Sequence, residues 1–295
     1  MSKRMRIAVI GADGQLGVDV CQEFEQNGDE VHRLGHSQLE ITSSETVHDV
    51  LSKIEPDVIV NTAAFHHVEQ CEQDPVKAFA INAGGVRNVA ATAARLGAIM
   101  FHVSTDYVFD GGKVTPYVED DRPQPLNVYG NSKLAGEYFV ASTTPRNFVL
   151  RTSALYGKNP CRAKGGLNFV ELMRKLARDG KEIKVVDNEF VTPTATLELA
   201  RQMVKLSRSD AFGLYHATAE GNCSWYEFAR EIFSLTGTEA RLRIAAPGDF
   251  PAKVRRPEYS VLENAGLKSI GLNTFRNWKD GLKEYLITSD REVLT

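Results

Sequence analysis

The sequence predicts an α/β protein: a doubly wound parallel β-sheet with a smaller C-terminal lobe. Over the first 150 residues, continuously apolar strand segments alternate with longer amphipathic segments, a pattern typical of parallel strands covered by helices on both faces. A glycine-rich turn follows the first of these strands and opens the first helix. After about residue 155 the elements become shorter and no comparable turn recurs. We therefore expect one domain at 1–155 and a lobe at 156–295 that is partly interleaved with the sheet.

The N-terminal strands and helices follow from two periodicities. Runs of apolar residues of strand length predict β-strands, and apolar residues at i, i+3 and i+4 predict helices that cover them. The predicted strands are 6–11, 29–34, 57–63, 98–105 and 147–153. The predicted helices between them are 15–28, 43–56 and 74–97, the first with Gly28 as its C-terminal cap.

The C-terminal lobe is predicted with the same criteria. Its elements are a helix at 165–180, a strand at 181–187, a helix at 196–209, a short strand at 214–217 and an amphipathic helix at 224–237. A loop with several prolines and arginines follows at 247–260. We expect this lobe to close over a ligand held at the edge of the sheet.

Composition excludes several classes of partner. The 295 residues are 42% hydrophobic and 25% charged, with a formal net charge of −3 and dispersed basic residues, which argues against nucleic acid or an anionic membrane. No apolar run approaches the length of a membrane span or a signal segment. The four cysteines are far apart and form no C-x-x-C pair. We expect reduced thiols, no metal site and a cytoplasmic location.

The turn GADGQLG at 11–17 has the spacing of a dinucleotide-binding, Rossmann-like sheet. Gly11 allows a tight turn, Gly14 lets the backbone approach a pyrophosphate, and Gly17 lets the helix pack closely on the strand. The free N–H groups at the start of the helix then face the phosphates. A glycine triplet elsewhere often serves geometry alone, but its place in the first strand–helix crossover indicates a dinucleotide site.

The end of the second strand bears on which dinucleotide is bound. An NAD site often has an acidic residue there for the ribose hydroxyls, whereas Arg33 and His36 are found here and the first acid is Glu40. A cation at this point suits a 2′-phosphate, so NADP(H) is favoured and NAD(H) stays open. The alternative is that Arg33 is a solvated loop charge.

Three residues form a coherent catalytic set. Thr105 ends the fourth strand, at the edge where ligands bind in open parallel sheets, and Tyr129 and Lys133 follow at helical spacing. Reduction of a ketone needs a hydride and a proton, and a tyrosine supplies the proton if its pKa, near 10, is lowered by a neighbouring cation. A hydroxyl at the strand end can fix the carbonyl oxygen beside the phenol. Without the pair, Ser104 and Thr105 would be read as capping residues.

Several motifs together carry a family resemblance. They are GADGQLG, VIVNTAAFHHVEQCEQDP, VSTDYVFDG, PLNVYGNSKLAGE, RTSALYG, GLYHATAEGNCSWYEFAREI and RRPEYSVL. With them the chain resembles the extended short-chain dehydrogenase/reductase superfamily and, within it, the dTDP-4-dehydrorhamnose reductases, over about residues 5 to 285. The resemblance implies reduction of the 4-keto group of a dTDP-linked deoxysugar by NADPH, in dTDP-rhamnose synthesis for cell-surface polysaccharide. It also allows a homodimer.

The resemblance implies roles for individual residues. Thr105, Tyr129 and Lys133 would be catalytic, and Tyr129 and Lys133 would also contact the cofactor. Further cofactor contacts would be Gly11, Asp13, Gly14, Gln15, Leu16, Glu40, Ile41, Ala63, Ala64 and Ser104, beside Gly17 and Arg33. Substrate contacts would be Val108, Phe109, Asn168, Phe169 and Arg256. For Arg256 the residue type agrees, because a guanidinium suits a diphosphate, although Arg255 could serve equally.

Two departures from the family pattern concern the sugar pocket. Ala154 stands where the family usually has tryptophan, which enlarges or reshapes the pocket. His66 and His67 are also unusual and would contact a sugar hydroxyl or cap a helix. Two other functions stay open: a nucleotide-sugar epimerase, and a non-catalytic, NADP-binding regulatory subunit of a methionine adenosyltransferase. Dehydration is disfavoured, because Asp106 is followed by Tyr107 where dehydratases carry an Asp–Glu pair.

Overall fold

The computed structural model describes residues 4–161, 165–250 and 253–292. The strands within them, in chain order, are β1 (Arg6–Ile10), β2 (Glu30–Leu34), β3 (Val58–Asn61), β4 (Ile99–Thr105), β5 (Asn147–Thr152), β6 (Leu155–Tyr156), β7 (Glu182–Val185), β8 (Phe190–Val191), β9 (Thr194–Ala195), β10 (Gly213–His216), β11 (Cys223–Ser224) and β12 (Arg241–Ile244). The helices are α1 (Gln15–Gln26), α2 (Ser44–Ile54), α3 (Val68–Gln73), α4 (Pro75–Phe79), α5 (Val86–Leu96), α6 (Val128–Thr143), α7 (Phe169–Arg178), α8 (Thr196–Leu206), α9 (Trp225–Thr236), α10 (Ala265–Ser269) and α11 (Trp278–Glu292).

The central sheet has six parallel strands in the order β10-β5-β4-β3-β1-β2. One of its faces packs against α1 and α8 through a cluster that includes Val9, Val20 and Leu199. The opposite face packs against α2 and α5 through Ala8, Leu51 and other buried residues. Helices on both faces of an all-parallel sheet confirm the predicted doubly wound fold.

The predicted N-terminal strands are all present, each shorter by one to three residues. The first helix ends at Gln26, so its cap is Asn27 rather than Gly28, and Gly28 follows with a φ of 87°. Glycine there lets the chain reverse without the steric cost of a side chain. The register of β4 and β5 brings Thr105 beside Thr152 at the carboxyl edge of the sheet.

The predicted helix at 74–97 is wrong as a single element. It is divided into α4, a π-helical turn (Ala80–Gly85) and α5. The buried Asn82 in the π turn accepts a hydrogen bond from the Phe65 N–H at 2.8 Å and donates to the Phe65 carbonyl at 2.9 Å. These bonds tie the turn to the loop after β3, and π turns are frequent beside functional sites.

The chain after residue 155 contributes to two layers. The predicted strand at 214–217 is β10, which pairs with β5 as the outer strand of the central sheet, and α8 packs on α1. A separate cluster joins α7, α9 and α11, the last of which was not predicted. The predicted helix at 165–180 covers only α7, because Asn168 caps its start. The strand predicted at 181–187 is β7, paired with β12.

Two further observations concern the predicted loop at 247–260 and the character of the helices. Of the predicted loop at 247–260, positions 251–252 lie outside the described residues. Within the ranges described, no helix has the length and apolar character needed to cross a membrane.

Candidate active site

A cavity of about 720 Å³ opens at the carboxyl edge of the central sheet. Its walls come from the glycine turn after β1, the ends of β3 and β4, the start of α6, and the C-terminal lobe. The predicted site residues that line it are Gly11, Asp13, Gly14, Gln15, Leu16, Gly17, Glu40, Ile41, Ala63, Ala64, Ser104, Thr105, Tyr129, Lys133 and Arg256. Residues as far apart in the sequence as Gly11 and Arg256 therefore meet in one cavity.

The glycine turn is built for close approach of backbone to ligand. Gly11 has a φ of 78°, and its N–H donates to the Leu34 carbonyl at 2.8 Å. A Cβ on Gly17 would lie 2.2 Å from the Gly11 oxygen, a distance that no side chain could accept. Gly14 caps α1 without a side-chain hydrogen bond, so the N–H groups of the first turn are left for an anion. The turn fits a dinucleotide pyrophosphate.

The predicted adenosine end of the cavity has one basic side chain on its wall, His36, and another, Arg33, outside the lining. His36 lines the cavity and lies 3.4 Å from the Glu40 carboxylate. Arg33 is outside the lining residues, and its guanidinium donates two hydrogen bonds from one nitrogen to the two oxygens of Glu25, at 3.0 and 2.9 Å. The role of Arg33 at a 2′-phosphate therefore stays a prediction, and Glu25 is the partner that Arg33 would have to leave.

Thr105 and Tyr129 form the catalytic side of the cavity. The Thr105 hydroxyl accepts the Tyr107 N–H at 3.2 Å and donates to Asp106 at 3.0 Å. Thr105 therefore caps a short 3₁₀ turn as well as lining the cavity, which combines both interpretations of this residue. Tyr129 lies in the first turn of α6, whose start is fixed by the Asn127 side chain.

Burial is the main influence on the pKa values of Tyr129 and Lys133. Desolvation raises the pKa of Tyr129 above its ordinary value of 10.0, and hydrogen bonding with Thr105 opposes the shift. The structure therefore does not show the expected lowering of the Tyr129 pKa, since burial of the phenol raises it. The Lys133 ammonium instead donates to the Val103 carbonyl at 2.7 Å. Desolvation lowers the pKa of Lys133 to about 8, against the attraction of Glu137. The phenol is therefore protonated at neutral pH and available as an acid.

An ion pair beneath the cavity holds Ser104. Glu137 accepts hydrogen bonds from Arg151 at 2.7 and 3.0 Å, and the Ser104 hydroxyl donates to the same carboxylate. All three side chains are buried. Removing one partner of such a pair would leave an uncompensated buried charge. The pair therefore fixes the Glu137 carboxylate, which holds the Ser104 hydroxyl and attracts the Lys133 ammonium.

The structure distinguishes the two neighbouring arginines of the C-terminal loop. Arg256 lines the cavity and donates to Glu69 at 2.8 Å, whereas Arg255 does not line it. The backbone carbonyl of Arg255 instead accepts the Asn127 amide at 2.9 Å, which ties the loop to the start of α6. Arg256 is therefore the better candidate for a diphosphate.

Four predicted substrate residues lie outside the cavity lining. Val108 and Phe109 are fully buried in a cluster with Tyr117 and Leu262, where Phe109 stacks on Tyr117. Asn168 caps α7 and donates to the Gly157 carbonyl at 2.7 Å. Phe169 packs on Trp225 with ring centroids 4.7 Å apart. Their contact with substrate stays a prediction, and in this structure these side chains have structural partners.

Trp225 lines the cavity and was not predicted as a site residue. It is the first residue of α9, where Ser224 and Glu227 form a reciprocal cap. The sequence signal was the aromatic at the start of a well-capped helix, but such a residue is usually part of a core. Its indole supplies an aromatic wall from the C-terminal lobe to the cavity that Ala154 also lines.

Ala154 and the two histidines also line the cavity. Ala154 has a φ of 44°, an uncommon conformation for a residue other than glycine and one that often marks functional sites. His67 caps α3, accepting the Gln70 N–H at 3.4 Å, while His66 lies 3.8 Å from the Cys161 thiol. His67 therefore fulfils the capping alternative while remaining on the cavity wall. Within the described ranges, no group of three or more potential ligands is placed to hold a metal ion.

Comparisons with known proteins agree with this geometry. A family model described as RmlD substrate binding domain matches residues 5–290. The chain is 40% identical to spore coat polysaccharide biosynthesis protein SpsK of Bacillus subtilis, over 95% of this chain and 96% of that protein. It is 36% identical to a dTDP-4-dehydrorhamnose reductase of Sinorhizobium fredii, at the same two coverages. A crystal structure of dTDP-4-dehydrorhamnose reductase from Bacillus anthracis in complex with NADP superimposes with a TM-score of 0.92 at 35% identity, covering 98% of this chain and 99% of that one.

Proposed function

The chain belongs to the dTDP-4-dehydrorhamnose reductase family, and we propose that it reduces the 4-keto group of a dTDP-linked deoxysugar with NADPH. The observation that carries this proposal is the meeting of Thr105, Tyr129 and Lys133 with the glycine turn in one cavity. A phenol acid beside a dinucleotide turn is what a ketone reductase requires.

The residues of the chain divide the work of the reaction. When bound, NADPH supplies the hydride. Tyr129, which is protonated at neutral pH, donates its proton to the carbonyl oxygen as charge develops there. The buried ammonium of Lys133, one helical turn away, stabilises the phenolate that remains, and Thr105 orients the phenol.

The C-terminal lobe is proposed to hold the nucleotide sugar. Arg256 would exchange Glu69 for the diphosphate, since its guanidinium binds phosphate oxygens more strongly than it binds the partly exposed Glu69 carboxylate. Trp225 would pack against an apolar face of the ligand. Beside Ala154 the pocket has room for a sugar substituent that a tryptophan there would exclude, so the sugar specificity is proposed to be broader than that of relatives with tryptophan.

The test is NADPH oxidation with a panel of dTDP-linked and UDP-linked 4-keto sugars. A reductase consumes NADPH in proportion to the alcohol formed. An epimerase would convert a nucleotide sugar with no net loss of NADPH, and a non-catalytic subunit would bind NADPH and convert nothing. Either of these two results would reject the proposal.

The preference for NADPH over NADH provides a separate prediction about Arg33. Arg33→Ala is expected to raise the Kd for NADPH about tenfold and leave the Kd for NADH unchanged, because the lost guanidinium would face only the 2′-phosphate. Glu25→Gln should do the opposite and tighten NADPH binding, since it removes the carboxylate that holds Arg33. Binding is measured by quenching of protein fluorescence.

Arg230→Ala is the control for this pair, because Arg230 is an exposed arginine of α9 outside the cavity lining. Its Kd for NADPH should equal that of the wild type. Equal loss of NADH and NADPH affinity in Arg33→Ala would show that Arg33 acts on the fold of the turn and not on the phosphate.

We further propose a cytoplasmic location and a homodimer. The four cysteines are free thiols, and three are buried, as is usual in a reducing compartment. Sedimentation velocity on the purified protein tests the dimer, and a single species of monomer mass would reject it.

A further inference from the structure

A buried carboxylate next to the catalytic set has no part in the reaction described above. Asp106 follows Thr105 directly and is 4% exposed. It accepts hydrogen bonds from three hydroxyls: Thr105 at 3.0 Å, Ser153 at 2.8 Å and Ser260 at 2.6 Å. Among the ion pairs of the described residues none involves Asp106. Three hydroxyl donors thus take the place of a cation.

The three donors come from separate parts of the fold. Thr105 ends β4, Ser153 follows β5, and Ser260 lies four residues after Arg256 in the C-terminal loop. The Ser260 N–H also donates to the Phe190 carbonyl at 3.0 Å. Asp106 therefore joins β4, which ends at the catalytic Thr105, to the loop that carries Arg256, the residue proposed to bind the diphosphate.

The direction of these bonds determines what Thr105 can do. A threonine hydroxyl has one proton and two lone pairs. In this structure the proton goes to Asp106, and one lone pair receives the Tyr107 N–H. The other lone pair stays available to the phenol of Tyr129, which lines the same cavity. While Tyr129 is protonated, Thr105 can only accept from it.

The demand on Thr105 reverses once Tyr129 has given up its proton. A phenolate cannot donate, so the bond persists only if the Thr105 proton turns from Asp106 to the phenolate. Asp106 then keeps the hydroxyls of Ser153 and Ser260, so its charge stays hydrogen-bonded throughout. No proton is transferred from one atom to another in this step, and only the direction of the Thr105 O–H bond changes.

We propose that Asp106 is a positioning residue that holds the Thr105 hydroxyl toward Tyr129 and releases its proton when the phenolate forms. This inference rests on the proposed reductase function. It assigns the carboxylate at the position of the dehydratase acid to alignment of the threonine, not to removal of a proton from the substrate.

The first test is Asp106→Asn, which keeps the size of the side chain but replaces one acceptor oxygen with an NH₂ donor. At least one of the three hydroxyls must then reverse, and Thr105 loses its charged acceptor. We expect kcat to fall about 30-fold, with KM for the nucleotide sugar and Kd for NADPH within about threefold of the wild type. Asp120→Asn, at an exposed aspartate outside the cavity lining, is the matched control with unchanged kcat.

A double-mutant cycle separates positioning from a general effect on the fold. In the background of Thr105→Val, which lacks the hydroxyl, Asp106→Asn should change kcat less than about twofold, because its target is already gone. The same 30-fold loss in both backgrounds would overturn the proposal. So would a kcat of Asp106→Asn equal to that of the wild type.

A crystal structure of Asp106→Asn gives a readout that does not depend on turnover. We expect the Thr105 side chain to rotate away from Tyr129 while β4 and α6 keep their positions. An unchanged Thr105 rotamer would overturn the inference even if the wild type reduced none of the sugars in the panel. Absence of turnover by the wild type would instead reject the reductase function, so the two failures are distinguishable.

Discussion

Tyr129→Phe is expected to lower kcat for NADPH-dependent reduction about 10³-fold while the protein stays folded and binds NADPH. The substitution removes one oxygen, and with it the only proposed proton donor to the carbonyl oxygen. Loss of a positioned general acid typically lowers the rate 10²- to 10⁴-fold. The aromatic ring, which contacts Tyr107 edge-on at 5.8 Å between centroids, is retained.

Two measurements are combined: the steady-state rate of NADPH oxidation, which gives kcat, and a binding titration, which gives the Kd for NADPH. Tyr138→Phe is the matched control, because Tyr138 lies on the same helix, is 62% exposed and does not line the cavity. It should leave both kcat and Kd unchanged. A Tyr129→Phe enzyme with more than a tenth of the wild-type kcat would show that another group delivers the proton, and the catalytic assignment would fail.

The parts of the site that sequence could predict are those set by local geometry. Two glycine requirements of the turn lie within residues 11–17: Gly11 has a φ of 78°, and Gly17 lies close to the Gly11 oxygen. Tyr129 and Lys133 share a face because residues four apart on a helix are neighbours. Thr105 is placed by the end of a continuously apolar strand, and parallel strands bind ligands at that end.

The parts that sequence could not predict depend on packing between distant segments. Ser260 meets Asp106 across 154 residues, and nothing near either residue signals the contact. Trp225 reaches the cavity because β11, which directly precedes it, pairs with β8, whose Val191 also lines the cavity. The pKa of Tyr129 moves upward because of burial, and the extent of burial is a tertiary property that a motif does not contain.

The π-helical turn is a related case. Periodicity predicts one continuous helix at 74–97, because a single inserted residue hardly disturbs the apolar spacing. What produces the π turn is the pair of bonds between Asn82 and Phe65, together with Gly85, whose Cβ would lie 2.7 Å from the Ile41 side chain. Both are contacts with other segments, and Ile41 is itself a cavity residue. The irregular turn thus involves contacts with other segments, which the periodicity of one helix does not show.

Lys133→Met is expected to lower kcat about 10²-fold, since the phenolate formed on Tyr129 loses its nearest proposed cation. The pH profile provides the diagnostic feature. With the Lys133 pKa at about 8, kcat/KM of the wild type should fall above pH 8 as the ammonium deprotonates, and this descending limb should be missing in the variant. A limb of equal position in both enzymes would assign the titration to another group.

The same substitution should make the free protein more stable, and this opposite effect is the stronger test of the burial of Lys133. Because its pKa falls from 10.5 in the unfolded chain to about 8 in the fold, the unfolded chain holds the proton more tightly between those values, and wild-type stability rises with pH through that window. Below pH 8 the buried charge costs about 3 kcal/mol, and methionine avoids this cost while giving up one hydrogen bond to the Val103 carbonyl, worth about 1 kcal/mol. In urea unfolding at pH 7 we therefore expect the free energy of unfolding of Lys133→Met to exceed that of the wild type by about 2 kcal/mol. This difference should shrink as the pH approaches 10.5.

Lys175→Met, at an exposed lysine of α7, is the control and should show no such gain in the free energy of unfolding. A Lys133→Met protein less stable than the wild type at pH 7 would mean that the ammonium is better compensated by Glu137 than its burial indicates.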